Sequence, residues 1–168
     1  AGDDYKDFAI MYRANYISRN FEEMLVRYQI PYKIYGGLSF FARKEIKDMI
    51  AYLKLIIDSN DNFSFRRIIN EPKRKIGPAL LEKLQNEAIS RGLSLFDTIP
   101  FYKGTGQGAL ALRGFYDVIN NIKAELNNIP LKNVIDVILA ETGYKEMLRV
   151  EDEEHERLNN ILEFKTVL

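Results

Sequence analysis

The chain has 168 residues, 46% of them hydrophobic, with 24 Lys+Arg against 24 Asp+Glu and no cysteine. That is enough for one ordinary domain with a real core, or a small domain plus part of another, and it excludes disulfides, zinc–thiolate centres, iron–sulfur clusters and thiol nucleophiles. Zero net charge is silent about partners, but its distribution is not: Arg66–Lys75 carries five cations and one acid, whereas Glu151–Glu156 carries five acids and no cation.

Phe8–Tyr12 (FAIMY) is a short continuous apolar run and predicts a strand covered on both faces. Ser18 offers a helix N-cap, and Phe21, Met24, Leu25 and Tyr28 then fall on one helical face, closed by Pro31. Tyr32–Tyr35 (YKIY) predicts a second strand, ended by Gly36 and Gly37. Strand, helix and strand in that order form a βαβ unit, and two parallel strands alone are not a stable sheet, so the partners of this piece are expected outside the chain. From Lys44 the period becomes helical. Ile46, Met49, Ile50, Leu53 and Ile57 mark a long amphipathic helix, Asp58–Asn62 a loop, and Phe63–Ile69 a short helix. Pro78–Ser90 predicts a helix with Pro78 in its first turn and Gly92 at its stop, followed by a capping-box candidate at Ser94–Asp97. A flexible break at Gly104–Gly108 precedes helices at about 108–127, 131–141 and 153–168. The expected fold is therefore mostly α: a small βαβ fragment over residues 1–43, then an all-helical domain over 44–168.

Most candidate motifs fail on their own chemistry. Asp58-x-Asn60-x-Asn62 begins like a calcium loop, but Phe63 stands where the sharp turn needs Gly and Ile69 where a bidentate Glu belongs. Gly104-x-Gly106-x-x-Ala109 lacks the preceding strand a dinucleotide fingerprint requires, and no phosphate loop of the G-x-x-x-x-G-K-[ST] type occurs. His155, the only histidine, sits in an acidic run that reads as a solvated face. Tyr12-Arg13 ends the first predicted strand, where an aromatic suits a base and an arginine a phosphate, although strand-end polar residues are often structural. Phe40-Phe41-Ala42-Arg43-Lys44 pairs aromatics with cations, which suits single-stranded nucleic acid or, equally, a core anchor.

The stretch INEPKRKIGPALLEKL is more pointed. Lys73, Arg74 and Lys75 sit at the mouth of a predicted helix whose dipole is already positive there. Ile76 is placed to anchor the turn and Gly77 to allow close backbone approach. The arrangement is unfavourable until an anion arrives, and it reads as a helix–hairpin–helix-like grip on a phosphate backbone, blind to base sequence. If all three cations each neutralise a phosphate, log affinity falls against log salt with a slope near −3.

The segments FAIMYRANYISRNFEEML, GGLSFFARKEIKDMIAYLKLI, FRRIINEPKRKIGPALLEKL, TGYKEML and RLNNILEF, in this order, resemble superfamily 1A DNA helicases of the UvrD/PcrA/Rep type over nearly the whole chain. The resemblance implies part of the second RecA-like motor domain (2A) over 1–43 and much of the inserted helical domain (2B) over 44–168. It implies that Tyr12 stacks on adenine, that Arg13 reaches the γ-phosphate of ATP, and that Arg43 lies near the single-stranded DNA track. Lys73, Arg74, Lys75, Ile76 and Gly77 then form the hairpin that holds duplex DNA. The family pattern there is Gly-Ile-Gly; this chain has Lys75-Ile76-Gly77, which narrows backbone freedom and adds a cation.

The implied task is to hold duplex and swivel within an ATP-dependent 3′→5′ DNA helicase of repair or replication, contributing one wall of the ATP site. ATP and Mg²⁺ belong to the parent, and none is expected bound to this chain, which lacks the phosphate loop and is expected to be inactive alone. The expected partners are duplex and single-stranded DNA at a junction, the other helicase domains, and repair proteins. No apolar run reaches membrane-spanning length and the acidic start AGDDYKDF lacks a signal peptide's apolar core, so a cytoplasmic protein without a membrane role is expected. The alternative is a regulatory helical module that docks proteins through the same basic turn.

Overall fold

Helix α2 (Lys44–Ile57) is the axis of the computed structural model, which describes residues 4–35, 39–151, 155–166 and 168. Its apolar residues recur at helical spacing, so Ile46, Met49, Tyr52, Leu55 and Ile56 face inward and pack against α3 (Asn62–Ile68), α6 (Gln107–Glu125), α7 (Leu131–Glu141) and α9 (Glu156–Lys165). Helices α4 (Pro78–Arg91), α5 (Leu95–Thr98) and α8 (Tyr144–Glu151) close the body around the same core. Phe115 of α6 lies near its middle, edge-on to Phe65 at 5.9 Å and to Phe96 at 6.4 Å.

Local signals set several helix ends. The Asp61 carboxylate accepts from the Ser64 N–H at 2.9 Å and starts α3. The Ser94 hydroxyl accepts from the Asp97 N–H at 3.0 Å and starts α5. These contacts replace helix-start donors that would otherwise lack partners. Pro78 opens α4, and Gly92 at φ 64° ends it in the left-handed conformation that glycine tolerates. The helix expected at 153–168 is preceded by α8, which the apolar period did not mark but the resemblance of TGYKEML did, and a turn at Thr142–Gly143 separates it from α7.

The expected βαβ fragment is not present. No strand occurs among the described residues: Phe8–Tyr12 and Tyr32–Tyr35 are unpaired chain, and Gly36 and Gly37 lie outside the described residues. The correction has a physical cause. A strand is held by ladder partners, and two short segments without further strands do not form a stable sheet. Helix α1 (Ser18–Arg27) forms as expected, but it is turned the other way round. Its buried residues are Ser18, Arg19 and Glu22, while Phe21, Met24 and Tyr28 of the apolar stripe face outward, Tyr28 being 66% exposed.

The polar face of α1 joins the body through directed contacts. Glu22 accepts from Ser18 Oγ at 2.8 Å, from Ser39 Oγ at 2.6 Å and from the Phe40 N–H at 3.1 Å. Arg19 pairs with Glu163 of α9 at 2.8 Å. The described residues of 4–43 thus form an arm with one α-helix, fastened by hydrogen bonds rather than by a sheet.

A covered strand and an open arm differ in one substitution. Met11 is 95% exposed, so Met11→Gln should shift the unfolding free energy of this chain, read from urea denaturation, by less than about 0.5 kcal/mol. A residue buried between layers would lose about 1.5–3 kcal/mol.

Candidate nucleic-acid interface

The turn between α3 and α4 runs from Ile69 to Gly77 and is built from both ends. Ile69 and Ile76 are buried and pin it to the core, Ile76 being 2% exposed. Asn70 spans the loop: its Nδ2 donates to the Ile76 carbonyl at 2.7 Å, and its Oδ1 accepts from the Ile76 N–H at 3.2 Å and the Arg74 N–H at 3.4 Å. Asparagine is suited to bonding nearby backbone in this way. Gly77 caps α4, its carbonyl accepting from the Leu80 and Leu81 N–H groups at 3.2 Å each. A Cβ at Gly77 would meet nothing within 4 Å, so the space beside the first turn of α4 is open.

The three cations are not equivalent. Lys73 and Lys75 are exposed and make no hydrogen bond or ion pair with any described residue. Arg74 points inward. Its Nη1 donates to the carbonyls of Ile68 at 3.0 Å, Ile69 at 3.1 Å and Pro72 at 3.1 Å. Its Nη2 donates to Tyr52 Oη at 3.0 Å and to the Thr142 carbonyl at 3.2 Å, and the guanidinium lies over the Phe115 ring at 5.0 Å. The Ile68, Ile69 and Thr142 carbonyls belong to the C-terminal ends of α3 and α7, where helix dipoles favour a cation. Arg74 therefore sits at two negative helix ends, and only the flanking lysines face solvent at the positive end of α4.

Lys75 adopts φ 60°, the left-handed region that glycine occupies at no steric cost. This is where the helicase pattern has its first glycine. Gly108, at the start of α6, lies against the same turn: a Cβ there would stand 3.0 Å from Leu80 Cδ1 and 3.6 Å from the Lys75 carbonyl. The Gly104–Gly108 stretch thus allows close approach of α6, a role the sequence reading did not assign.

The remaining expected site residues lie elsewhere. Tyr12 is half-buried, its ring stacked on Phe21 at 6.4 Å, and Arg13 is exposed. Arg43 is 7% exposed and donates to Asn160 Oδ1 at 2.8 Å, Ser18 Oγ at 2.9 Å and the Asn15 carbonyl at 2.6 Å. Its guanidinium joins the arm to α9. No hydrogen bond or ion pair links Tyr12, Arg13 or Arg43 to the basic turn among the described residues. Sequence reading missed Asn70, Tyr52 and Thr142 as parts of the turn. Asn70 was recognisable, standing between the end of a helix and a proline; the other two come from distant helices.

Two phenols support this arrangement. Tyr144 donates to Asp48 Oδ2 at 2.8 Å, and Tyr52 donates to the Glu71 carbonyl while receiving Arg74. Burial pushes the Tyr144 phenol far above its usual range, and the Asp48 carboxylate pushes it further. Burial likewise raises Tyr52, partly offset by the Arg74 charge. Both folded-state pKa values lie above the ordinary 10.0, so the folded protein keeps two protons that the unfolded chain releases. The stability they contribute is complete below about pH 10 and is lost as the pH rises above it. Urea midpoints against pH should show this loss, and Tyr144→Phe should make it shallower. At Lys75 a second comparison applies. Lys75→Gly should be about 0.5–1 kcal/mol more stable than Lys75→Ala, because only glycine relieves the left-handed backbone.

Comparison with known proteins bears on the whole chain. Residues 1–167 match the profile of the UvrD-like helicase C-terminal domain. The chain is 41% identical over 174 aligned residues to the ATP-dependent DNA helicase PcrA of Staphylococcus aureus (strain Mu50), an alignment covering 99% of this chain and 23% of that protein. It is 39% identical over 172 residues to the ATP-dependent DNA helicase PcrA of Staphylococcus epidermidis (strain RP62A), covering 99% of this chain and 24% of that protein. The chain spans about a quarter of the length of these curated relatives. With its whole length matched, the chain belongs to the UvrD-like helicase C-terminal domain family.

Proposed function

We propose that this chain is the duplex-holding part of an ATP-dependent 3′→5′ DNA helicase acting in repair or replication. The observation that carries the reading is the pair Lys73 and Lys75. Both are exposed, neither is paired with a described carboxylate, and both sit on a turn fixed by Asn70 and Arg74 at the N-terminus of α4. Two ammonium groups carried on a held turn beside open helix amides suit phosphate oxygens and carry no base information. Ile76 anchors the turn, and open space at Gly77 leaves room for a sugar–phosphate chain. The staphylococcal relatives, ATP-dependent DNA helicases, support the same class.

The boundary between motor piece and helical insertion is proposed at residue 43/44, where the arm ends and α2 begins. ATP with Mg²⁺ would meet the arm through Tyr12 and Arg13. The exposed Arg13 side chain is suited to charge on a phosphoryl group, and the Tyr12 ring, backed by Phe21, to an adenine face. Arg43, proposed near the single-stranded track, is enclosed by Asn160, Ser18 and Asn15, so its contribution there is to hold the arm in place. Junction DNA, the rest of the helicase and repair proteins are the proposed partners. A protein-docking role is favoured by one feature: exposed Ile89 and Leu93 line a cleft of about 360 Å³ with Arg66 and Gln85.

Duplex titration over a salt series separates the readings. Lys73→Ala/Lys75→Ala should weaken binding and make the slope of log affinity against log salt shallower by about 1.8, two phosphate contacts at about 0.9 each. An unchanged slope and affinity would sink the DNA-holding role and leave the docking role standing.

A further inference from the structure

We infer that Arg74 and Asn70 form an internal clasp that positions Lys73 and Lys75 for phosphate, and that Arg74 is not itself a phosphate ligand. The inference rests on the duplex-holding reading and goes beyond it by assigning one cation of the basic run to the inside of the protein. Five acceptors take the Arg74 guanidinium: the carbonyls of Ile68, Ile69, Pro72 and Thr142, and Tyr52 Oη. They come from α2, the end of α3, the loop itself and the end of α7, and Phe115 of α6 backs the planar group. A phosphate that took Nη1 or Nη2 would have to displace these contacts. The fork geometry matters, because a lysine ammonium has neither the span nor the flat face for these partners.

The clasp acts on its neighbours. With residue 74 turned in, the side chains on either side stand outward, and the exposure of Lys73 and Lys75 agrees. Asn70 holds the same strip from the other side through the Arg74 N–H, the Ile76 N–H and the Ile76 carbonyl. A turn so held is ordered before any ligand arrives. Binding then avoids the entropy of freezing a loose loop, which is a gain in affinity without a further contact.

That distinction is measurable in the 168-residue chain with a blunt-ended mixed-sequence duplex as probe. Asn70→Ala removes the loop bonds without touching a charge or the core. It should lower affinity about tenfold at every salt concentration while leaving the salt slope unchanged, since both lysines remain. Hydrogen exchange at the Ile76 amide should accelerate in the same variant. Arg74→Gln should give the same parallel displacement; a slope shallower by about 0.9 would make Arg74 a phosphate ligand and overturn the inference. If Arg74→Gln fails to fold, Asn70→Ala decides alone: full affinity despite fast Ile76 exchange overturns the clasp. The doubly substituted lysine variant tells the two ideas apart. If it binds as the parent does, the duplex-holding reading fails and the clasp with it; if it is weakened while Asn70→Ala is not, only the clasp fails.

Discussion

The conformation of the basic turn depends on where one guanidinium goes. Arg74 is a cation, yet no carboxylate is among its hydrogen-bond partners; the ends of two helices receive it instead. Three successive cations would repel one another on an open loop. Turning the middle one toward the C-termini of α3 and α7 eases that conflict, gives the Ile69 and Thr142 carbonyls a donor, and gives the Ile68 carbonyl a second one beside the Glu71 N–H. The same contact ties the loop to α2 through Tyr52 and to α6 through Phe115, so the turn is part of the core rather than an appendage.

A second buried polar system holds the arm. Arg43, Asn160, Glu45, Ser18 and Glu22 are all buried and hydrogen-bonded to one another or to backbone, linking α1, α2 and α9. Such networks specify geometry strongly, because a group left unpaired in a low-dielectric setting is costly. They bury little apolar surface. The arm is therefore seated by direction and charge and by one apolar anchor, the fully buried Phe40, while the helical body is held by the rest of the continuous apolar core, from Ile46 to Phe164. Asp48 bridges the two styles of packing: it is buried, paired with Lys44 and Arg67, and receives the Tyr144 hydroxyl.

These features fit a chain whose function needs a rigid basic edge. The described residues contain no metal-binding cluster and no helix long and apolar enough to cross a membrane. The functional signal is an asymmetry within a neutral protein: two lysines facing out from a turn whose third cation is structural. Membership of the UvrD-like helicase C-terminal domain family supplies the class; the turn supplies the physical means by which the class would meet a phosphate backbone.

Much of the helical body was legible in the sequence. The apolar period from Ile46 to Leu53, the proline and glycine bounding α4, and the cap at Ser94 are local signals, and local signals survive into the fold because the same few residues that carry them also satisfy them; Ile57, placed on the same stripe, is exposed at the helix end. The turn itself was legible as a basic run between helices, but its brace Asn70 was not read. What tertiary structure alone decided was orientation. An apolar run such as Phe8–Tyr12 becomes a strand only when other strands offer a ladder, and the α1 stripe faces inward only when a core lies on that side; among the described residues neither condition holds. Likewise Arg74 reads like its neighbours along the chain, but its acceptors at Tyr52 and Thr142 lie 22 and 68 residues away, so the difference between a cation that meets a ligand and one that holds the fold appears only once α2, α3 and α7 have packed.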